Sequence, residues 1–204
     1  MHDSSISTRE LILQTARRMF NEHGYRAVTM RALANELGIG VGNVTYYFAC
    51  KHDIVDALMD EPMAALEVAP PVCTFEQIHA LFSFMLETLK RDSFYFLDPE
   101  FQTEARHLEN HGRLAAMIRE GLANLTQAGY FREDFTEETR ETLLRLLLMS
   151  HLTWMHSTVR GAPLPTMDTD AFLRAHWLVF SPYFTPKGAE AWKRMAQEKA
   201  MPQS

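Results

Sequence analysis

The chain has 204 residues, of which 47% are hydrophobic and 23% are charged, and this balance is typical of a folded chain rather than a disordered one. No run of about 18 uncharged apolar residues is present and the N-terminal segment has no apolar core, so we expect neither a membrane span nor a secretory signal. The net charge of −6 is unevenly distributed: residues 1–52 carry six basic and four acidic side chains, and residues 53–204 carry 14 basic and 22 acidic ones. The acidic total therefore does not exclude a nucleic-acid partner for the N-terminal part.

Helical periodicity recurs along the whole chain, without the sustained alternation that indicates strands. The first helix has a capping box, Ser7 with Glu10, and a C-terminal cap at Gly24. Ten helical segments are predicted, an all-α fold, at about 8–23, 30–37, 41–48, from 51 onward, 75–91, 99–110, 113–128, 137–158, 169–183 and 187–199. Pro62 interrupts the fourth helix, and Gly112 separates two later ones. We predict an N-terminal domain over 1–52 and a larger domain over 53–204.

Three alternating glycines, Gly38, Gly40 and Gly42, follow the second helix. A dinucleotide-binding loop would need a buried strand before it and the spacing G-x-G-x-x-G, and the chain has neither. Two short helices joined by a turn that contains glycine are typical of a helix-turn-helix, whose second helix enters the major groove of DNA.

The third helix has two different faces. Val44 and Phe48 are four residues apart and are expected to pack inward, while Asn43, Tyr46 and Tyr47 share the opposite side. Asparagine can pair with an adenine edge and tyrosine hydroxyls can bind phosphate oxygens. The alternative is that both tyrosines only pack against neighbouring helices.

This N-terminal segment resembles the DNA-binding segment of TetR/AcrR-family regulators. The resemblance covers about 8–58 and rests on recurring elements at fixed spacing: Ala16, Phe20, Gly24, Thr29, Ala34, Gly38, the pair Gly42 and Asn43, the aromatic run that ends in Phe48, and Lys51. We predict that the residues that contact DNA are Thr29, Arg31, Gly42, Asn43, Thr45, Tyr46, Tyr47 and Lys51.

Two positions depart from the family pattern. The family usually has a tyrosine that touches a phosphate at the position of Thr45, and the residue before Gly42, often polar or basic, is Val41 here. Tyr46 or the Thr45 hydroxyl is the alternative phosphate contact, and Val41 is open to a thymine methyl contact or to burial.

The resemblance implies a homodimer that binds a palindromic DNA operator, in most members as a repressor released by a small ligand. Aromatic and methionine residues of the larger domain are mostly expected in its core, but some could line an adaptable apolar pocket. The predicted ligand-binding residues are Phe82, Met85, Phe94, Phe96, Met117 and Met155.

Two later helices carry wide apolar stripes, which could form a four-helix seam with a second copy or could pack only within one chain. The predicted dimer contacts are Leu143, Leu147, Trp154, Leu173, Trp177, Phe180 and Phe184.

Metal and enzyme functions are the alternatives. Glu104, His107 and His111 share one helical face and could hold a divalent metal, although the helix is expected to end there and no metal is predicted. Cys50 and Cys73 fit neither a zinc pattern nor a disulfide framework, which suggests reduced thiols in the cytoplasm. No nucleophile elbow, phosphate loop or H-E-x-x-H motif is present, so we predict neither enzyme activity nor a cofactor. An all-α ligand carrier, metal sensor or enzyme with a vestigial DNA-binding unit remains the competing hypothesis.

Overall fold

A computed structural model describes residues 6–67, 69–102, 105–160 and 167–200 of the chain. Its eleven α-helices in these ranges are α1 Thr8–His23, α2 Met30–Leu37, α3 Val41–Tyr47, α4 Lys51–Glu67, α5 Phe75–Arg91, α6 Ser93–Leu97, α7 Pro99–Gln102, α8 Ala105–Gln127, α9 Glu137–Arg160, α10 Thr169–Phe180 and α11 Pro186–Ala200. A 3₁₀-helix at Ser181–Tyr183 follows α10. The described residues form no strand beyond one antiparallel bridge between Phe131 and Phe184, so the predicted all-α class is confirmed.

The bounds of α1 follow from local signals. The Ser7 hydroxyl accepts a hydrogen bond of 3.1 Å from the Glu10 backbone N–H, which caps the first turn. Gly24 ends the helix with φ of 83°, a left-handed conformation that glycine adopts without a steric penalty. Between these caps, Ile12, Ala16 and Phe20 are buried.

Two predicted interruptions are wrong. α4 continues through Pro62 to Glu67, and α8 continues through Gly112, which joins two predicted helices into one. A glycine inside a helix costs only about 1 kcal/mol relative to alanine. Burial of an aliphatic side chain contributes about 1.5–3 kcal/mol, and α8 buries Ile118 and Leu122, so tertiary packing outweighs the local breaker.

Helix α6 has no predicted counterpart. Every residue of Ser93–Leu97 is buried, so this segment shows no alternation between apolar and polar positions from which a helix could be recognised. The predicted helix over 99–110 corresponds to α7 and the start of α8, with the chain between them outside the described residues.

The chain groups into two compact units. The first comprises Met1–Ala69 and Arg91–His107, and the second comprises Pro70–Lys90 and Leu108–Ser204. α4 belongs to the first unit because it buries Ile54, Val55 and Leu58 there and contacts α1. The predicted domain boundary after His52 does not coincide with the division into compact units. A division of function at His52, with DNA binding before it, stays a prediction.

The first unit is held together by an aromatic core and a buried carboxylate. Phe20 of α1 packs against Phe94 of α6, with ring centroids 5.0 Å apart. Asp92 is fully buried, and its two oxygens accept hydrogen bonds from Arg17 Nε at 2.7 Å and from Arg91 Nε at 2.8 Å. A buried carboxylate needs paired donors, and the two arginines supply them. The pairing with Arg17 connects α1 to the start of α6.

The core of the second unit is also aromatic. Phe75 of α5 lies against Trp177 of α10 at 5.0 Å between ring centroids and against Phe184 at 5.2 Å. Phe131 and Phe135 stack at 4.2 Å beside the same cluster. Across the helices in the described ranges, none is both long enough and apolar enough to cross a membrane.

Candidate nucleic-acid interface

α2, a short turn and α3 form the predicted helix-turn-helix. Thr29 caps α2, because its hydroxyl accepts a 3.1 Å hydrogen bond from the Ala32 N–H. Gly38 ends α2 in the left-handed conformation, with φ of 65°, and the Ile39 N–H returns to the Ala34 carbonyl at 3.0 Å. The chain thereby turns within three residues and α3 begins at Val41.

Helix α3 presents two faces as predicted. Val44 is fully buried, with 0% of its surface exposed, and Phe48 directly after the helix is also buried. On the outer side, Asn43 is exposed, Tyr47 is exposed and Tyr46 has 82% of its surface accessible. The two tyrosine rings contact each other edge to face at 5.1 Å. The hypothesis that the tyrosines pack only against neighbouring helices is therefore wrong for this chain.

Gly42 lies near the N-terminus of α3 on the exposed side. A methyl group built on Gly42 would meet no heavy atom within 4 Å, and its φ is not positive. The fold of the chain therefore does not require glycine at this position. A glycine here would also let the backbone of α3 approach a partner molecule closely, and this contact stays a prediction.

The Thr45 hydroxyl is used inside α3. It donates to the carbonyl oxygens of Val41 and Gly42, each at 3.2 Å. A phosphate oxygen only accepts hydrogen bonds, so Thr45 is a weaker candidate for a phosphate contact than the exposed hydroxyl of Tyr46.

Lys51 has a structural role that the sequence pattern does not show. Its Nζ donates to the carbonyls of Tyr25 at 2.6 Å and Val28 at 3.0 Å, and it lies 3.8 Å from the centroid of the Tyr25 ring. Partial burial lowers the pKa of Lys51. The ammonium group thus anchors the connection between α1 and α2 to the start of α4, and phosphate contact through its third N–H stays a prediction.

The other basic groups of the first unit differ in their pairing. Arg18 forms ion pairs with Glu22 and Glu36, and the hydrogen bond that Arg18 donates to Glu36 is the main cause that raises the pKa of Arg18. Arg26 donates to Glu100 at 3.0 Å, which raises its pKa. Thr29 and Arg31 are exposed at the start of α2, and Arg31 forms no ion pair with a residue that the structure describes.

The predicted ligand-binding residues are divided between the two units. Phe94 and Phe96 belong to the first unit, where Phe94 packs against Phe20. Four residues belong to the second unit: Phe82, Met85 and Met155, which are buried, and Met117, which is half-buried. Phe94 is a core residue of the first unit, and a common pocket for all six residues stays a prediction.

Five of the predicted dimer contacts are buried inside the single chain, and their role in a dimer stays a prediction. These residues are Leu147, Trp154, Leu173, Trp177 and Phe180. Leu143 and Phe184 are half-buried. The Trp154 ring stacks on Phe172 at 5.0 Å, and its Nε1 donates to the Met167 carbonyl at 2.9 Å.

A different set of apolar residues is exposed on the same two helices. Leu146 and Met149 lie on the outer side of α9, where Met149 has 68% of its surface accessible. Leu178 and Val179 lie on the outer side of α10, and Leu178 has 60% accessible. On these two helices the larger aromatic residues face the core and smaller apolar residues face outward, and a dimer contact through either helix stays a prediction.

The hypothetical metal ligands Glu104, His107 and His111 lie outside the side chains that the structure describes. Among the residues that it does describe, no three histidine, cysteine or acidic side chains are placed to hold a metal ion. Cys50 and Cys73 are both free thiols at the surface.

Comparison with known proteins matches the N-terminal region and the whole fold to the same group. The family described as "Bacterial regulatory proteins, tetR family" matches residues 12–58, which span α1 after its first turn, α2, α3 and about the first half of α4. The HTH-type transcriptional repressor AcnR of Corynebacterium glutamicum is 28% identical over 153 residues, 72% of this chain and 80% of that protein. AcnR of Corynebacterium efficiens is likewise 28% identical, over 156 residues.

Solved structures share the architecture. A TetR-family transcriptional regulator from Marinobacter aquaeolei VT8 superposes with a TM-score of 0.72 at 24% identity, covering 96% of this chain and 100% of that one. AmtR of Mycobacterium smegmatis superposes with a TM-score of 0.63 at 23% identity, covering 98% of both chains. The helix-turn-helix, the sequence match over it and the shared all-helical fold agree: residues 12–58 match the DNA-binding segment of the tetR family, and the whole chain has the fold of a solved TetR-family transcriptional regulator.

Proposed function

We propose that this regulator is a homodimeric repressor that binds a palindromic operator through α3 and releases it when a small molecule binds in the larger domain. The observation that carries the DNA-binding part is the orientation of α3: Val44 is fully buried while Asn43, Tyr46 and Tyr47 face outward. A short helix that exposes one amide and two phenol groups suits a groove lined by hydrogen-bonding base edges and phosphates. Similarity to TetR-family transcriptional regulators, rather than any missing motif, supports a regulator and not an enzyme.

The proposal of a homodimer is supported by the outward apolar residues of α9 and α10. Exposed Leu146, Met149 and Leu178 cannot hydrogen-bond to water, and covering them with the same surface of a second copy would form an isologous interface. Helix-turn-helix dimers bind two half-sites about 34–36 Å apart, so twofold symmetry of the protein implies a palindromic operator. We place this activity in the cytoplasm, where such DNA would lie.

A small-molecule effector is proposed for the second unit. Its interior contains Phe82, Met85 and Met155, side chains that suit an apolar molecule. A regulator from Saccharomonospora viridis with this fold, TM-score 0.61 at 19% identity, was solved in complex with choline. That similarity extends to the fold and leaves the ligand of the present chain open.

Release would follow from a shift between two populated conformations. A ligand that prefers one arrangement of the larger domain would move α4 and change the separation of the two α3 helices in the dimer. The ligand can shift the equilibrium between the two conformations only by the difference between its binding free energies for them.

The test is selection of bound fragments from random DNA by the purified full-length protein, followed by electrophoretic retardation of the selected sequence. The expected result is a palindromic consensus, retarded with affinity that falls steeply as salt increases. Failure to retard any selected duplex at low salt would contradict the proposal. Small molecules are then screened for release of the retarded complex.

The metal-sensor alternative is distinguished by elemental analysis of the purified protein and by retardation with and without a chelator. Stoichiometric metal together with chelator-dependent DNA binding would favour that alternative over an organic effector.

A further inference from the structure

Two buried histidines of the second unit face each other across α9 and α10. His151 of α9 and His176 of α10 have 2% and 0% of their surfaces accessible. Their Nε2 atoms lie 3.1 Å apart, which is hydrogen-bonding distance. Neither residue belongs to the proposed DNA-binding surface or to the exposed apolar surface.

The other nitrogen of each ring determines where the protons lie. His151 Nδ1 is 2.6 Å from the carbonyl oxygen of Leu147, and His176 Nδ1 is 2.7 Å from that of Phe172. A carbonyl oxygen only accepts a hydrogen bond, so each Nδ1 must carry a hydrogen. A neutral imidazole with hydrogen on Nδ1 has only a lone pair on Nε2.

Two neutral rings would therefore place two lone pairs against each other at 3.1 Å. One additional proton turns this repulsive contact into an N–H···N hydrogen bond. We propose that His151 and His176 share a single proton between their Nε2 atoms, and that this proton holds α9 against α10.

The surroundings limit the pair to one proton. The Phe82 ring lies 4.9 Å from the His176 ring and the Phe172 ring lies 5.4 Å from the His151 ring, so apolar groups replace water around the pair. Burial is the main cause that lowers the pKa of His176, and the charge of His79 lowers it further, while the hydrogen bond to the Phe172 carbonyl raises it. A second proton on His176 is therefore disfavoured, which limits the pair to one.

The neighbouring charged groups have other partners or face outward. From α5, His79 Nδ1 accepts a 3.1 Å hydrogen bond from Trp177 Nε1, and Lys90 donates to Thr169 and lies over the Trp154 ring. Among the described charged residues of the two helices, Arg145 on α9 and Asp170 and Arg174 on α10 are exposed. The half-buried Arg140 and Glu141 of α9 pair with the Phe135 carbonyl and with Arg119.

The direction of the pH dependence follows from proton counting. A histidine in the unfolded chain has a pKa of about 6.5, so above that pH the unfolded chain holds no proton that corresponds to the shared one. The folded state then binds more protons than the unfolded state, and stability decreases as pH rises until the pair loses its proton. Two independent neutral histidines would instead leave stability unchanged above pH of about 7.

Thermal unfolding of the full chain between pH 6.5 and 9 tests this. We expect the wild-type melting temperature to fall by about 3–8 °C over the range in which the proton is lost, given about 1.36 kcal/mol per pH unit per proton. His176→Gln places an amide N–H donor beside His151 without a charge, so its melting temperature is expected to lack this decrease. His79→Gln is the matched control and should keep it, because His79 is outside the pair.

NMR of protein labelled with ¹⁵N-histidine gives a second readout that does not depend on unfolding. After chelator treatment at pH 7.5, both Nδ1 atoms should carry hydrogens, and the His151 and His176 Nε2 signals, assigned with the Gln variants, should show one proton between them. Two unprotonated Nε2 atoms, or signals that change on adding Zn²⁺, would overturn the proposal, as would an equal alkaline decrease in His176→Gln.

Discussion

Helix α3 and the α9–α10 pair expose opposite kinds of surface. α3 directs Val44 inward and exposes groups that can hydrogen-bond, Asn43 and Tyr46, beside the smaller exposed surface of Val41. α9 and α10 bury their aromatic residues and a histidine pair, and they expose Met149 and Leu178, which cannot hydrogen-bond.

This contrast distinguishes the partners that the two surfaces suit. A polar, hydrated duplex can satisfy an exposed amide and phenol, whereas exposed aliphatic side chains gain about 25 cal/mol per Å² only when another apolar surface covers them. Substitutions in either surface should therefore affect different measurements, dimerisation for α9 and DNA affinity for α3.

Met149→Lys should cause the largest change, because a twofold interface would bury two unpaired ammonium groups, each costing several kcal/mol. We expect the dimer to dissociate at concentrations at least about 100-fold higher than for the wild type. The measurement is sedimentation equilibrium over a dilution series, with circular dichroism to show that the fold is kept. Leu11→Lys, on an exposed apolar residue of α1, is the control. Equal dimer dissociation constants for Met149→Lys and wild type would show that this face of α9 is not part of the interface.

Tyr46→Ala should weaken binding about tenfold on operator and random DNA alike, since a lost hydrogen bond to a charged phosphate corresponds to about 1.5 kcal/mol. Tyr46→Phe isolates the hydroxyl and should show most of this loss. Asn43→Ala should instead reduce discrimination at one base pair by about 1–3 kcal/mol. Fluorescence anisotropy with matched and single-substituted duplexes measures both, and unchanged affinity of Tyr46→Ala for every duplex would argue against α3 as the DNA contact.

Gly42→Ala separates stability from binding. The added methyl group meets no atom of the chain within 4 Å, so the helix should gain up to about 1 kcal/mol of stability, while DNA affinity should fall several-fold if the backbone approaches the duplex. Gly112→Ala is a matched control, because this glycine of α8 also has no neighbour within 4 Å and should gain stability without losing affinity. Equal DNA affinity in the two variants would show that Gly42 does not approach DNA.

Thr45→Val should have the smallest effect, with affinity within about twofold of wild type, because the hydroxyl already donates to carbonyls of its own helix. The same anisotropy titration checks it. A loss as large as that of Tyr46→Phe would show that Thr45 turns its donor to phosphate when DNA binds.

Local signals predicted the first helices well because their information lies within a few residues. The bounds of α1 and α5 agree with the predicted ranges, and the Thr29 and Gly38 caps of α2 form as expected. The inward position of Val44 and Phe48 follows from helical spacing alone, and it is confirmed.

Longer-range packing explains the failures. Pro62 and Gly112 act as helix breakers only when no tertiary contact opposes them, and α4 and α8 bury enough apolar surface to continue. The internal role of Lys51 depends on the carbonyls of Tyr25 and Val28, which are more than twenty positions earlier in the chain. Sequence spacing carries no information about such a contact.

Caps, turns and 3.6-residue periodicity act between near neighbours, so the helical class, the helix-turn-helix and the outward face of α3 could be predicted from the residues alone. Tertiary packing sets which apolar side of α9 and α10 faces the core, since a stripe of leucine and tryptophan looks the same whether its partner is the same chain or another. It alone also brought His151 and His176 together, because their contact depends on how two helices pack and not on the order of residues in either.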